Sequence, residues 1–228
     1  MVDTIPSLTL FHHRLSSSLP ALLLLTHLNI PHTLISVTSD PFGHYTPLDP
    51  TLSREDFLAL NPLGQVPTLA LDYGLPGQAV ITQLPAVLHY ISSLRTGHGM
   101  LGRSPLEQAQ VQEWMSYISA TFTTTGFTYI FRPARIIGEA QLERVLQSVR
   151  DGGYEIVIAG LNYAESRFDD SGFAVGGHVT VVDFLLWTVC GWATKARLDI
   201  DRFPKLGRVL EKVDVVESVR VVLADERA

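Results

Sequence analysis

The sequence is short of several things that would assign a class at once. It has a single cysteine, Cys190, so no intrachain disulfide can form. That fits a reducing compartment such as the cytosol. It has no basic excess: 17 Lys and Arg stand against 23 Asp and Glu, for a formal net charge of -6. Nucleic-acid binders carry a basic face, so that function is disfavoured. It also lacks a long apolar run. The richest early stretch, Leu19 to Leu25, is interrupted by Thr26 and His27, and a membrane span needs roughly 20 apolar residues. Arg14 followed by LSSSLPALLLL resembles a secretion signal superficially. However, no small-residue cleavage site follows, and HLNIPHTLI reads on as helix end, turn and strand, so a buried helix is expected. There is no CxxC pair, no phosphate loop and no His/Cys group with metal-ligand spacing. No metal is therefore expected.

What the chain does have is core. Hydrophobic residues make up 46%, enough for one large or two small domains. Residues 7–11 (SLTLF) read as a strand. Ser16-Ser17-Ser18 before Pro20 and an apolar run predict a capped helix over about 19–28. HTLISV predicts a second strand near 32–38, and strand, helix, strand implies a parallel pair. The Pro- and Gly-rich residues 39–52 read as a long loop. Ser53 and Asp56 have capping-box spacing for a short helix to Leu60. TLALDY and AVIT flank Gly74-Leu75-Pro76-Gly77 as a hairpin, and 83–94 has helical spacing. The order is that of a thioredoxin-like α/β domain over 1–95. A glycine-rich linker follows at 96–104, then an all-α domain over 105–228. Its helices are expected at about 105–131, 139–168, 180–195, 205–213 and 215–223, with Gly152-Gly153 a possible break.

One stretch stands apart. FLALNPLGQVPTL, Phe57 to Leu69, puts Pro67 where a strand should begin. Proline cannot donate to a strand ladder, but an X–Pro bond is the ordinary place for a cis peptide. A cis bond there would turn the Val66 N–H and C=O outward, beside the end of the first strand, as a clamp for an extended peptide-like ligand. The alternative is that Pro67 only ends a loop.

This stretch resembles the N-terminal domain of the cytosolic glutathione transferases. So does Ile81-Thr82-Gln83, followed by an apolar helix with Ala86 and Tyr90. VGGHVTVVD, Val175 to Asp183, resembles the family's capping box, and Phe203-Pro204-Lys205-Leu206 resembles the segment that follows. The matches stand in the family's order.

The resemblance implies an enzyme that binds glutathione on the first domain and favours its thiolate, either as a transferase or as an isomerase like the family's maleylacetoacetate isomerase branch. A free thiol has a pKa of roughly 8.5. A hydroxyl donor and a helix N-terminus both stabilise the anion. Serine-type members carry that hydroxyl where Ser16, Ser17 and Ser18 stand; spacing to Pro20 favours Ser16, then Ser17. Backbone at Val66, before Pro67, would pair with the cysteinyl part, Gln65 could reach the glycine carboxylate, and Gln83 and the Leu84 N–H would hold the γ-glutamyl end. The family usually has Ser where this chain has Leu84. The lost hydroxyl is worth about 1.5–3 kcal/mol, so a weakened grip on that end is expected. His12 and His13 end the first strand, on opposite faces. One of them, His13 in the substrate assignment, could serve the site. Trp114, Tyr117 and Phe122 are candidate walls for an apolar electrophile, and some of them must be plain core. Homodimerisation, a cytosolic setting and a role in specialised metabolism are further expectations from the resemblance. The alternatives are an isomerase or biosynthetic enzyme that keeps the fold but works without glutathione, and a non-catalytic binding or regulatory protein on the same fold.

Overall fold

The computed structural model describes residues 5–40, 42–138 and 142–227. The chain divides into two compact units. The first holds Met1–Asp40, His44–His98 and Glu217–Ala228; the second holds Pro41–Gly43 and Gly99–Val216.

The first unit is built on a five-stranded sheet in the order β3-β2-β1-β4-β5. Its strands are β1 (Leu8–His12), β2 (Thr33–Ser39), β3 (Tyr45–Pro47), β4 (Thr68–Leu71) and β5 (Ala79–Thr82). The expected parallel pair is β1 with β2, and the other pairings are antiparallel. β1 is central, and all five of its residues are buried, as a strand covered on both faces must be. β3 lies inside the stretch read as a loop. It is an edge strand of three residues, paired only to β2, where Pro47 is tolerated because no partner needs its missing N–H.

Helix α1 (Leu19–His27) is buried from Leu19 to Leu25. Helix α2 (Arg54–Leu60) starts with the expected capping box: Ser53 Oγ accepts from the Asp56 N–H at 3.1 Å, and Asp56 accepts from the Ser53 N–H at 2.8 Å. One cluster gathers Phe11, Val37, Tyr45, Phe57, Val66 and Ala70, so the loop residue before Pro67 sits in core. Helix α3 (Leu84–Ser93) buries Val87, Leu88 and Ile91 and packs with α1.

The second unit is helical. Helix α4 (Pro105–Tyr117) runs into a ten-residue π-helical segment, Ile118–Phe127, and then into α5 (Thr128–Phe131). The threonines of TFTTTGFT account for the wide turn. Thr124, Thr125 and Thr128 each donate a hydroxyl to the carbonyl five residues earlier, at 2.8, 2.8 and 2.9 Å. After α6 (Ala134–Ile137) comes α7 (Glu143–Arg167); residues 139–141 of the helix expected at 139–168 lie outside the described residues. α7 is unbroken at Gly152-Gly153. Gly153 is instead a close-packing position, since a Cβ there would meet the Gly126 carbonyl at 2.9 Å.

Helix α8 (Val181–Lys195) begins at the second expected capping box. The fully buried Asp183 accepts from the N–H and hydroxyl of Thr180 and the N–H of Ala174, at 2.7, 3.0 and 2.9 Å. Helix α9 (Pro204–Asp214) follows. The last helix, α10 (Glu217–Arg227), corrects the expected boundary at 105–228: it belongs to the first unit and packs on α1. Its apolar face buries Val219 and Val222, and Ser218 bonds His27 of α1.

Candidate functional site

The loop before Pro67 is held from inside. Gly64 turns it at φ +57°, a backbone conformation that residues with a Cβ rarely adopt. Asn61 is buried. Its amide donates to the Gln65 carbonyl and to Thr68 Oγ1, each at 2.9 Å, and its oxygen accepts from the Leu63 N–H at 3.1 Å. Thr68 donates to the same Gln65 carbonyl at 2.7 Å. The Gln65 C=O and the Val66 N–H share one planar peptide and point opposite ways. Two inward tethers on the carbonyl therefore aim the Val66 N–H away from Asn61 and Thr68. The Val66–Pro67 bond is cis.

The serine turn meets this loop. Ser17 donates its hydroxyl to the Val66 carbonyl at 2.8 Å. Ser16 Oγ lies 3.0 Å from Ser18 Oγ. Ser18 stands at the N-cap position of α1, yet its hydroxyl makes no cap, which corrects the capping expectation. It is fully buried and bonds His12 Nδ1 at 2.9 Å, while accepting from the His13 N–H at 3.1 Å.

His12 is 1% exposed, and its Nε2 lies 2.9 Å from Oε1 of the buried Glu226 on α10. The other oxygen of Glu226 accepts from the Leu15 N–H at 2.7 Å, and Arg14 donates to the Glu226 backbone carbonyl. Leu15 has a left-handed backbone, φ 49°, which a leucine adopts only when its surroundings hold it there. Burial pushes the Glu226 carboxyl up. The bonds from His12 and Leu15, with the charges of His12 and Arg14, outweigh burial and hold it below its ordinary value.

As strand alternation requires, His13 faces away from this network. Its Nδ1 donates to the Val37 carbonyl at 2.9 Å, its Nε2 lies 3.5 Å from Ser39 Oγ, and its ring packs on Tyr45. It is a half-buried brace to β2. Gln83 is exposed and has a left-handed backbone at the head of α3, without a side-chain cap. Pro85, within the first turn, offers no N–H, so Leu84 and Ala86 supply the free donors there.

The aromatic candidates belong to the second unit. Trp114 is 3% exposed, packed on Tyr163 and Phe168, and Phe122 has no exposed surface. Both are core in this structure, which corrects their assignment as walls. Tyr117 keeps some exposure beside them, and burial and the neighbouring Tyr163 raise its hydroxyl pKa. Cys190 is buried, with its thiol pushed up to about 12 by burial; it is no nucleophile at neutral pH. Among the described residues, no group of three or more His, Cys, Asp or Glu is placed to hold a metal ion. No described helix is long and apolar enough to cross a membrane.

Sequence reasoning named His12 but not its partners. It missed Glu226, Ser18 as the junction, and Thr68. Only the run of serines beside His12 hinted at them.

Residues 16–94 match the family model of the glutathione S-transferase N-terminal domain, and residues 140–212 match that of its C-terminal domain. Among curated proteins, the glutathione S-transferase GstA of Escherichia coli O157:H7 is 27% identical over 75% of this chain and 79% of its own length. The maleylacetoacetate isomerase maiA of Aspergillus fumigatus is 26% identical over 96% of this chain and 90% of its own length. Among solved structures, a Sulfitobacter glutathione transferase homologue with bound glutathione superposes with a TM-score of 0.80 at 21% identity, covering 97% of this chain and 99% of its own. The beta class glutathione S-transferase of Sphingomonas chungbukensis gives 0.77 at 22%, covering 96% and 98%. At these identities the structural likeness shows the fold. With both family models matched in order, and with a thioredoxin-like sheet domain followed by helices, the chain belongs to the glutathione S-transferase family.

Proposed function

We propose that the protein is a serine-type glutathione-dependent enzyme. It activates the thiol of glutathione for attack on an apolar, electrophilic small molecule. The observation that carries this reading is the meeting of the serine turn with the Val66 loop, joined by the 2.8 Å bond from Ser17 to the Val66 carbonyl. One ligand thiol can then lie at the serines while its own backbone pairs with Val66.

In this reading residues 1–95 form the glutathione-binding domain. Gln65 reaches the glycine carboxylate, Val66 and Pro67 form the clamp, and Gln83 with the Leu84 N–H holds the γ-glutamyl carboxylate at the positive end of α3. The hydroxyl of Ser17 is already committed to Val66, which favours Ser16 as the group beside the sulfur. Tyr117 remains as a contact for the electrophile. The enzyme works as a homodimer in the cytosol, in specialised metabolism.

Isomerisation, by addition of the thiolate and its later elimination, uses the same residues. The near full-length match to the Aspergillus isomerase favours keeping it as the second reading. Steady-state kinetics of Ser16→Ala and Ser17→Ala test the reading. A lost bond to a charged group costs about 1.5–3 kcal/mol. Ser16→Ala should therefore lower glutathione-dependent kcat/KM by roughly 10- to 100-fold, and Ser17→Ala should lower it less. Unchanged turnover in both variants sinks the serine mechanism, and no turnover with any electrophile in the wild type favours a non-catalytic binding protein.

A further inference from the structure

We propose that Ser16, Ser18, His12 and Glu226 form a proton relay that draws the thiol proton of bound glutathione inward to His12. The proposal rests on the glutathione reading above and deepens it. The direction of each bond follows from its neighbours. The Leu15 N–H bond and the Arg14 charge favour the Glu226 carboxylate whichever form His12 takes, and a carboxylate only accepts, so the hydrogen between the two side chains sits on His12 Nε2. On a ring whose one hydrogen sits on Nε2, Nδ1 is the acceptor, and the group 2.9 Å away is Ser18 Oγ. Ser18 has one hydrogen, and the 2.9 Å contact with Nδ1 takes it in preference to the His13 carbonyl at 3.4 Å. The 3.0 Å contact between Ser16 and Ser18 must then be filled by the Ser16 hydrogen. The resting chain runs Ser16 to Ser18 to His12 to Glu226.

Two consequences follow. In this state neither candidate serine can donate to a thiolate: Ser16 is committed to Ser18, and Ser17 to Val66. A thiol arriving at Ser16 meets an oxygen lone pair and donates to it. Transfer then reverses the chain. The S–H bond breaks and Ser16 Oγ takes its proton; Ser16 passes its own hydrogen to Ser18, and Ser18 passes its own to Nδ1. One S–H bond is lost and one N–H bond is formed, with both hydroxyls regenerated. The thiolate ends as the acceptor of the Ser16 O–H, and the new imidazolium lies between Ser18 and the Glu226 carboxylate.

Burial gives the relay its closed end. His12 is 1% exposed and Ser18 fully buried, so on the serine side the proton reaches solvent only back through Ser16 among the described residues. Among the described residues, the titratable and charged groups around His12 are Glu226 on α10 and Arg14 and His13 in the adjoining turn. β2 and β4 contain none, and the only one in α1 is His27, whose ring bonds Ser218. Of these groups, the Glu226 carboxylate is the one in direct hydrogen-bond contact with the His12 ring. Glu226 and His12 are positioning residues here, acting on the sulfur through the serines.

The test follows where the proton goes. Glutathione is titrated calorimetrically into the full-length protein near pH 7 in buffers of different ionisation enthalpy, while ultraviolet absorbance reports thiolate in the complex. The relay predicts thiolate formation with close to no proton released by the wild type. In His12→Gln, which keeps a donor toward Glu226 but has no base for Ser18, the thiolate titrates near the free-thiol value of about 8.5. Any thiolate that forms there should release a full proton. Glu226→Gln, similar in shape, should raise the bound-thiol pKa by about one unit or more, with little change in glutathione affinity below that pKa. Full proton release by the wild type, which needs no variant to fold, overturns the relay. So does an unchanged thiol titration in folded His12→Gln. If glutathione does not bind at all, the glutathione reading falls and the relay with it.

Discussion

Asn61→Ala is a sharp test of how the Val66 loop is held. The substitution removes three hydrogen bonds, two of them from the buried amide to the Gln65 carbonyl and Thr68 Oγ1. The third partner, the Leu63 N–H, belongs to an exposed residue and can turn to water. The Gln65 carbonyl keeps its bond from Thr68, and Thr68 Oγ1 keeps that bond as donor while losing the one it accepts, so each buried atom retains a partner. At about 0.5–1.5 kcal/mol for each buried bond, the loss is about 1–3 kcal/mol. Asn61→Asp should cost more. It sets a carboxylate oxygen against two groups that now accept from Asn61, and its penalty should shrink as pH falls and the new carboxyl is protonated. The assay is urea unfolding with glutathione affinity measured alongside, because the Gln65–Val66 peptide has lost one of its two tethers. Stability within 0.5 kcal/mol of the wild type in both variants, with unchanged affinity, would refute the bracing argument.

Three further outcomes are expected. Gly160→Ala adds a Cβ that would lie 2.5 and 2.7 Å from ring atoms of the fully buried Phe122; overpacking of about 1–3 kcal/mol should exceed the roughly 1 kcal/mol gained in helix propensity, and a double mutant with Phe122→Leu should recover part of the loss in thermal unfolding. Burial raises Asp183 from 3.8 to about 6 against the bonds from Ala174 and Thr180, and a raised acid stabilises the fold below its unfolded pKa and loses that contribution as pH rises through the folded one. The wild type's margin over Asp183→Ala should therefore be about 1 kcal/mol larger at pH 5 than at pH 7; a margin that grows with pH contradicts the assignment. Leu84→Ser should tighten glutathione about tenfold or more by calorimetry, since it returns a hydroxyl to the carboxylate end, and an unchanged Kd would count against that placement.

What was legible in the sequence was local. Ser53 with Asp56, and Thr180 with Asp183, announce helix starts because a capping box needs only residues three apart. The β1-α1-β2 unit and the β4-β5 hairpin show in periodicity and turn residues. What escaped was set by pairing at a distance. Tyr45–Pro47 is a strand only because β2 offers an edge to it. The membership of α10 in the first unit follows from packing on α1, and Glu226 meets His12 across 214 positions of sequence. The serines showed as a functional run, but the burial of Ser18 and its turn toward His12 depend on that distant helix. Trp114 and Phe122 illustrate the same limit on a helix: aromatic spacing marks an apolar face without saying whether core or ligand meets it.

Everything proposed above depends on glutathione binding between the serine turn and the Val66 loop. The most direct test is calorimetric titration of the folded wild-type protein with glutathione, repeated with Ser16→Ala. Saturable one-site binding is expected at millimolar concentration or tighter, weakened in the variant at a pH where the bound thiol is ionised. No binding heat from the folded protein at several millimolar glutathione, in buffers of different ionisation enthalpy, would contradict it.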